Sequence, residues 1–365
     1  MSGLRVAVLG GGNGGYAAAA DLALAGHRVR LWRRGAREFE PVRATSRIRI
    51  DGDGFAGEAV LDRATTDLKE ALDGAEVVLA PLPATAHEDL AARCAPHLTG
   101  HEVVLFTPGT LGTLVFARGV ERAGGRVPFA LAETGTLPYL ARKVGPAAVK
   151  APVKAANLPT GVFPAERTAE TLDRLRHIYP SVRPCTDALD AALTNAGTVI
   201  HPPLVLLNAG PIESGQYDIH ASGTTPGILR VIHAVDRERV AIREALGYPP
   251  PHYELSTYYD EARAAEGLYG AGARQKLVAS GLWNEVLTFS HRYVTEDVAL
   301  GLPLWVSLAE RLWVDAPVSE ALLTLGSAVF DRPLLDEGRT LERLGLGHLD
   351  GEGLRRFFED GGGGR

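Results

Sequence analysis

The sequence predicts an α/β domain with a parallel, doubly wound sheet, followed by a mostly α-helical domain. Its 365 residues fit two domains, at about 100–200 residues per domain. In the first half, short apolar runs alternate with helical stretches, whereas a 3.6-residue periodicity dominates after about residue 185. We therefore divide the chain into residues 1–184, residues 185–360 and a flexible tail at 361–365.

Five apolar runs predict the strands of the first domain. They lie at residues 5–9, 27–32, 76–79, 102–106 and 129–132, and an alanine-rich helix is predicted at 16–24. Because these runs are apolar nearly throughout, they suit strands that are buried on both faces of a parallel sheet. Strands that alternate with helices in this way are typical of a Rossmann-like domain.

The second domain is predicted to be helical because its apolar residues recur at helical spacing. The clearest stretches are residues 187–200, 231–246, 298–312 and 319–330. Two irregular stretches, 247–260 and 266–275, are rich in Tyr, Pro and Gly, and they are either substrate loops or plain surface connections.

Composition and charge exclude several classes of protein. The 38 basic and 44 acidic residues give a net charge of −6, which argues against a nucleic-acid binder that neutralises phosphates. The two cysteines cannot build a disulfide framework, and the histidines lack the spacing of metal ligands, so we expect no metal site. The N-terminus lacks the pattern of a signal peptide, and no long apolar run is present. We therefore expect a cytoplasmic protein that binds neither membranes nor nucleic acid.

A glycine-rich turn follows the first predicted strand, and it predicts a dinucleotide site. Gly10, Gly12 and Gly15 form a G-x-G-x-x-G motif between that strand and the alanine-rich helix. Gly10 permits the tight turn, Gly12 lets backbone amides approach a pyrophosphate, and Gly15 allows close packing of helix on strand. Asn13 and Gly14 complete the cofactor-binding loop, with the pyrophosphate at the helix N-terminus. The alternative is a glycine-rich turn that binds no ligand.

The end of the second predicted strand indicates which cofactor is used. NAD-dependent enzymes usually carry Asp or Glu there, about 20 residues beyond the glycines. This chain has Arg33 and Arg34 instead, which can pair with a 2′-phosphate, and we expect no carboxylate there to repel one. NADP is therefore the preferred cofactor; the alternative is that both arginines are solvated and NAD is used. Pro83, which follows the strand at 76–79, is added to the cofactor-binding residues.

Three polar features interrupt the apolar second half. His201 lies in an apolar stretch that runs into Pro202 and Pro203, and this pattern predicts a kinked helix. A polar cluster follows at 290–298, and a stretch of charged residues at 337–346. Taken singly, each has a structural explanation: a core histidine, a loop with an ordinary helix cap, and a capping or packing role.

Taken together, these features resemble the NAD(P)-dependent opine dehydrogenases, a family that includes octopine, nopaline and N-(1-carboxyethyl) amino-acid dehydrogenases. The resemblance covers nearly the whole chain and rests on four motifs: GGGNGG, NAGTVIHPPLVLLNAG, RYVTEDVALGLP and EGRTLERLGLGHL. The two middle motifs are specific in combination, because few Rossmann enzymes share a helical half with this order of His, Arg and Asp.

The resemblance implies a role for each matching residue. His201 matches the family's catalytic histidine, Asp297 its carboxylate partner, and Arg292 the arginine that binds substrate carboxylate. We add Asn208, from the same motif as His201, to the substrate-binding residues. The family condenses an α-keto acid with the amine of an amino acid and reduces the imine by hydride transfer. The resemblance also implies that the helical domain is of the phosphogluconate-dehydrogenase-like C-terminal type. Because the helical half is apolar, we expect a homodimer.

These residue types suit that reaction. Imine formation needs proton transfer at a carbonyl oxygen near neutral pH, which is the range in which histidine titrates. A buried carboxylate beside the histidine holds one tautomer and stabilises the imidazolium. The substrates and the product carry carboxylates, and the guanidinium of Arg292 can bind one through two hydrogen bonds.

Other families remain possible from the sequence alone. Ketopantoate reductases, glycerol-3-phosphate dehydrogenases and phosphogluconate dehydrogenases share the predicted architecture but generally use a catalytic lysine. Here the only lysine after Lys154 is Lys276, which we expect in a Gly/Ala-rich stretch rather than on a firm helix. A non-catalytic NADP-binding protein on the same scaffold is a further alternative.

Overall fold

The computed structural model of the chain describes residues 3–362, and the chain divides into two compact units between Ala192 and Leu193. The boundary predicted after residue 184 lies slightly earlier, before the helix Ala188–Ala192, which packs on strands of the first unit. Of the predicted tail at 361–365, residues 363–365 lie outside the described residues. The predicted fold classes are confirmed: a mostly parallel sheet in the first half, and helices in the second.

The first unit contains twelve strands and seven α-helices among its described residues. The strands are β1 (Arg5–Leu9), β2 (Arg28–Trp32), β3 (Arg47–Gly52), β4 (Phe55–Val60), β5 (Arg63–Thr65), β6 (Val77–Ala80), β7 (Val103–Phe106), β8 (Ala130–Thr134), β9 (Tyr139–Gly145), β10 (Ala148–Lys154), β11 (Leu158–Phe163) and β12 (Val182–Pro184). The helices are α1 (Asn13–Leu24), α2 (Glu40–Thr45), α3 (Leu68–Leu72), α4 (His87–Cys94), α5 (Gly112–Arg122), α6 (Thr168–Arg176) and α7 (Ala188–Ala192).

Eight strands form the main sheet, in the order β12-β11-β8-β7-β6-β1-β2-β5. Its neighbours are parallel except β8 and β11, which run antiparallel. Strands β6, β7 and β8 are buried along their whole length, as expected for strands covered on both faces. Leu9 of β1 is in register with Trp32 of β2, and Val8 with Leu79 of β6. The loops that follow these three strands therefore meet at one edge of the sheet, where dinucleotides bind in such folds.

A second sheet, in the order β4-β3-β10-β9, was not predicted. In β3, exposed Arg47 and Arg49 alternate with buried Ile48 and Ile50, which is the sequence pattern of a half-buried strand. Strand β9 of this sheet packs against α1, the helix that follows the glycine-rich turn. The second sheet therefore lies beside the predicted dinucleotide loop.

The second unit is helical. Its described residues form α8 (Ala196–Leu206), α9 (Ala209–Glu213), α10 (Pro226–Ala245), α11 (Ser256–Tyr259), α12 (Ala273–Ala279), a π-helical segment (Tyr293–Gly301), α13 (Leu302–Leu312), α14 (Pro317–Phe330), α15 (Leu334–Glu337) and α16 (Gly351–Asp360). Two short strands, β13 (Gln216–Tyr217) and β14 (Glu285–Val286), pair antiparallel. Within residues 3–362, no helix has both the length and the apolar character needed to cross a membrane.

Two predictions for this half need correction. The helix predicted at 187–200 is two helices, because the chain turns between α7 and α8, where the Asn195 side chain caps α8 by accepting from the Gly197 amide. Lys276 was expected outside a helix, but it lies on α12, where its side chain is exposed.

Candidate active site

His201 and Asp297, which are 96 positions apart, meet in the second unit. His201 lies on α8, Asp297 lies on the π-helical segment, and both side chains are buried. The distance from His201 Nδ1 to Asp297 Oδ2 is 2.6 Å. A carboxylate oxygen accepts from Nδ1–H, so Nε2 is the nitrogen that takes up a proton in the neutral ring. Burial raises the pKa of the Asp297 carboxyl, and the charge of Arg292 opposes that shift.

Two glycines allow the helices that carry this pair to approach closely. A Cβ atom on Gly197 would lie 2.6 Å from Asp297 Oδ1. A Cβ atom on Gly301, at the end of the π-helical segment, would overlap the Thr198 hydroxyl of α8. At each contact the backbone of a glycine on one helix therefore packs directly against a side chain of the other, and this short separation brings the carboxylate within reach of the imidazole.

Tyr293 packs against the face of the His201 imidazole. Its ring stacks on His201, with centroids 3.7 Å apart and planes inclined by 22°. The Tyr293 hydroxyl lies 3.3 Å from His220 Nε2, and the His291 ring packs edge-on with its centroid 4.2 Å away. Tyr293 and Asp297 are one turn apart on the same segment, so two neighbouring positions fix the imidazole of His201.

Arg292 is the residue from which the π-helical segment begins. Its guanidinium carbon lies 6.0 Å from the centroid of the Tyr293 ring, and its Nε is 3.6 Å from Glu296 Oε2. That Nε is buried and has no hydrogen-bond partner among the described residues. Burial acts to lower the pKa of Arg292, but the Glu296 and Asp297 carboxyl groups outweigh it and raise that pKa. A charged guanidinium with a donor to spare thus lies beside the histidine–carboxylate pair.

The π-helical geometry of residues 293–301 was not predicted, since the sequence indicated a helix only from residue 298. Short π-helical turns occur often at functional sites. Tyr293 and Glu296 were also missed as site residues. They were recognisable only by their spacing from Arg292 and Asp297, at neighbouring positions on one helical segment.

Asn208 lies at the start of α9 and is buried. Its Nδ2 donates to the carbonyls of Leu204 (2.8 Å) and Gly223 (3.2 Å), and its Oδ1 accepts from the Tyr217 hydroxyl at 3.1 Å. The side-chain amide therefore connects the end of α8 to the loop at 216–224. Its predicted contact with substrate stays a prediction, and in this structure it supports the chain that follows His201.

The glycine-rich turn in the first unit has the conformation that the motif requires. Gly10 has φ of +137°, which side-chain-bearing residues rarely adopt, and its amide donates to the Trp32 carbonyl. A Cβ atom on Gly15 would overlap the Gly10 carbonyl oxygen. At Gly12, the N-cap of α1, a Cβ atom would meet nothing described within 4 Å. The turn thus leaves room for a ligand at the helix N-terminus, as the prediction requires.

The loop after β6 lies against the same turn. A Cβ atom on Gly10 would come within 2.9 Å of Leu82 Cδ2, and one on Gly14 within 3.4 Å of Pro81 Cβ. The exposed Pro83 follows these two residues. Pro83, like Asn13 and Gly14, stays a predicted cofactor contact.

The surroundings of Arg33 correct one argument made from the sequence. Arg33 Nη2 lies 2.5 Å from Glu38 Oε2, so a carboxylate does stand near the end of β2, five positions further along the chain. It was missed because the expected position was the strand end itself. Arg34 is exposed, with its Nη1 3.5 Å from Asp89 Oδ2.

No group of three or more His, Cys, Asp or Glu side chains in the described part of the chain is arranged to hold a metal ion.

Family models match the two halves of the chain separately. Residues 184–330 match the α-helical domain of NAD/NADP octopine/nopaline dehydrogenases. Residues 5–133 match the N-terminus of NAD-dependent glycerol-3-phosphate dehydrogenases. The second match is confined to the half that carries the glycine-rich turn, whereas the first covers His201, Arg292 and Asp297.

Whole-chain comparisons agree with the first match. An opine dehydrogenase from Arthrobacter sp. (strain 1C) is 31% identical over 358 residues, covering 97% of this chain and 98% of the relative. Octopine dehydrogenase solved with NADH and agmatine has 19% identity and a TM-score of 0.72, covering 96% of this chain and 97% of that one. Yersinopine dehydrogenase solved with NADP⁺ has 16% identity and a TM-score of 0.67, covering 98% of both chains. These two structures share the fold of this chain.

Proposed function

This chain belongs to the opine dehydrogenase family, whose members are NAD(P)-dependent oxidoreductases that act on CH–NH donors, and from that premise we propose the roles of its residues. The substrates are an α-keto acid and an amino acid. Condensation of the keto group with the amine releases water and gives an imine, and a hydride and a proton then convert the imine to a secondary amine. The observation that carries the proposal is the buried His201–Asp297 hydrogen bond of 2.6 Å beside the Arg292 guanidinium.

His201 is the acid–base group. Water leaves the carbinolamine only after its oxygen gains a proton, and opine oxidation requires the reverse transfer. The Asp297 carboxylate accepts from Nδ1, so it keeps the ring in the tautomer whose Nε2 exchanges protons with the substrate. Asp297 also stabilises the imidazolium, because a negative charge then lies within hydrogen-bond distance of it.

Arg292 binds a substrate carboxylate. Its unpartnered, buried Nε supports this role, because a buried guanidinium donor without an acceptor is costly and a carboxylate supplies two acceptor oxygens. Glu296 Oε2 lies 3.6 Å from Nε, beyond hydrogen-bond distance, so this donor stays available to a substrate carboxylate.

The first unit would hold the dinucleotide. The open space at Gly12 and the positive N-terminus of α1 fit a pyrophosphate, and the bound nicotinamide would supply or accept the hydride. Gly10 and Gly15 keep the turn tight against β1, so that the backbone amides of the turn can reach the phosphates. Asn13, Gly14 and Pro83 complete the proposed contacts.

We propose NADP(H) as the preferred cofactor, bound through Arg33 and, less directly, Arg34. Solved relatives carry NADH in one case and NADP⁺ in another, so the choice depends on residues of this chain. The proposal includes a homodimer located in the cytoplasm, as expected from the sequence, and light scattering of the purified protein tests its oligomeric state.

A screen of substrate pairs tests the function. Oxidation of NADPH and of NADH is followed with pyruvate, 2-oxoglutarate or glyoxylate, each combined with a panel of amino acids. We expect turnover only when both substrates are present. Mass spectrometry should find a product whose mass is that of the two substrates, less one water and plus two hydrogens. Turnover of a keto acid alone, without dependence on the amino acid, would identify a 2-keto acid reductase instead.

A further inference from the structure

The side chain of Arg33 lies across the glycine-rich turn. A Cβ atom on Gly11 would come within 2.5 Å of Arg33 Cδ, so the aliphatic part of the arginine covers that glycine. Arg33 Nη2 donates to Glu38 at 2.5 Å. Arg33 Nη1 is buried and has no hydrogen-bond partner among the described residues. One side of the guanidinium is thus occupied, and the other has a donor that needs an acceptor.

A second cation reaches the same turn from a distant part of the sequence. Lys143 lies on β9 of the second sheet, and its Nζ is 3.4 Å from the Gly11 carbonyl oxygen. Its backbone amide donates to Asn13 Oδ1 at 2.9 Å, and its ammonium lies 4.7 Å from the centroid of the Tyr16 ring. These three contacts hold Lys143 against the glycine-rich turn and against the N-terminal residues of α1.

The charges of this cluster act on one another. Burial and the positive charge of Arg33 lower the pKa of Lys143, while Glu38 opposes them. The hydrogen bond and charge of Arg33, together with the charge of Lys143, lower the pKa of Glu38. Two cations therefore face one carboxylate, and Glu38 is the more exposed member of its pair with Arg33. The cluster has an excess positive charge where the adenosine end of a dinucleotide would lie.

We propose that Arg33 and Lys143 form a two-cation site for the 2′-phosphate of NADP(H), and that Glu38 is the built-in competitor of that phosphate. A phosphate monoester supplies the acceptors that Arg33 Nη1 lacks and the negative charge that offsets Lys143. Glu38 holds the guanidinium in place, but its charge repels the phosphate. The inference rests on the proposed function only for the identity of the cofactor, and it assigns Lys143 and Glu38 as residues that determine cofactor specificity.

Calorimetric binding of 2′-AMP and 5′-AMP to the full-length protein tests the site without turnover. Lys143→Met should weaken 2′-AMP binding about tenfold or more, since it removes a charge-assisted contact, and should leave 5′-AMP within about twofold. Glu38→Gln should act in the opposite direction and tighten 2′-AMP binding several-fold. Lys150→Met is the matched control, because Lys150 lies on the adjacent β10 with an exposed side chain paired to Asp51.

Three outcomes would overturn the proposal. They are equal weakening of both nucleotides by Lys143→Met, an unchanged affinity for 2′-AMP, and no binding of 2′-AMP to the unmodified protein at millimolar concentration. Lys143→Arg, which keeps the charge, should retain most of the preference for 2′-AMP over 5′-AMP. Melting curves of Lys143→Arg and Lys143→Met show whether a loss of binding comes from the missing contact or from unfolding of the protein. These probes are not substrates, so a negative result in the screen of keto acids and amino acids would leave this test unaffected.

Discussion

The imidazole of His201 stacks on the phenol ring of Tyr293, with 3.7 Å between centroids and an angle of 22° between planes. An aromatic face attracts a cation, so this stack favours the protonated imidazole over the neutral one. Asp297, one turn further along the π-helical segment, acts in the same direction through its negative charge. We therefore expect both neighbours to stabilise the imidazolium form of the proposed acid–base group.

Tyr293→Leu should shift the pH dependence of opine oxidation. In that direction His201 must be neutral to accept a proton, so activity rises with pH as the imidazolium deprotonates. Loss of a cation–π contact worth about 0.5–2 kcal/mol destabilises the imidazolium and should move the rising limb of kcat/KM to lower pH by about 0.4–1.5 pH units. Tyr293→Phe keeps the ring and should leave the limb in place. An equal displacement in both variants would contradict a role for the stack.

His201→Ala should reduce kcat at least about a hundredfold, because it removes the proposed acid–base group. Binding of NADPH, measured by fluorescence titration, should stay unchanged. His348→Ala, which removes an exposed histidine of the same unit, is the control and should keep full activity. Near-normal turnover in His201→Ala would remove the histidine from the mechanism.

Asp297→Asn should lower kcat about a hundredfold or more without lowering the melting temperature. The amide can hydrogen-bond to the histidine but carries no charge, and it does not enforce the same tautomer. Burial already disfavours the charged form of this side chain, as its raised pKa indicates, so a neutral amide is tolerated in its place. Kinetics and thermal unfolding, measured on the same sample, check both parts. If activity and stability fell together, the role of Asp297 would be structural.

Arg292→Lys should raise the KM of the carboxylate-bearing substrate about tenfold or more. Lysine keeps the charge but cannot offer two parallel donors to a carboxylate. The KM values of the keto acid and of the amino acid, measured separately, identify which carboxylate is bound. Arg230→Lys, at an exposed position of α10, is the control. Unchanged KM values for both substrates would exclude the assignment.

Gly301→Ala should disrupt the His201–Asp297 pair without touching either residue. The added methyl group overlaps Thr198, and overpacking of this kind costs about 1–3 kcal/mol of unfolding free energy. We also expect kcat to fall, because α8 and the π-helical segment must move apart. Adding Thr198→Ala should restore part of both losses. Gly210→Ala is the control, because a Cβ atom there meets no described atom within 4 Å. Denaturant unfolding and kinetics of the three variants, compared with the unmodified protein, test the coupling.

The sequence was most informative where local chemistry restricts the choice of residue. The turn at Gly10 and Gly15 was predictable, since positive φ and close packing both require glycine. The pairing of His201 with Asp297 was implied only by the family resemblance, because spacing alone cannot bring together residues 96 positions apart.

Other parts of the site depend on tertiary contacts that leave no periodic pattern. Tyr293 was missed because its stacking on His201, a residue distant in sequence, leaves no local signal. Lys143 was missed because its strand belongs to an unpredicted sheet. Strand β3 could have been found, since its charged and apolar residues alternate strictly. Glu38 was missed because a carboxylate was expected at the end of β2 itself, and Glu38 lies beyond that strand.

The chain divides after Ala192, and this division separates the proposed selection of the cofactor from the proposed selection of the substrates. The residues proposed to recognise the dinucleotide precede it, and those proposed to recognise the substrates and move the proton follow it. Exchange of the first segment by recombination would therefore change the nicotinamide cofactor that the enzyme uses and leave its choice of amino acid intact. Exchange of the second segment would change the amino acid and leave the cofactor intact. Chimaeras joined at this point, with the first segment taken from an NADH-using relative, offer a direct route to redirecting such an enzyme.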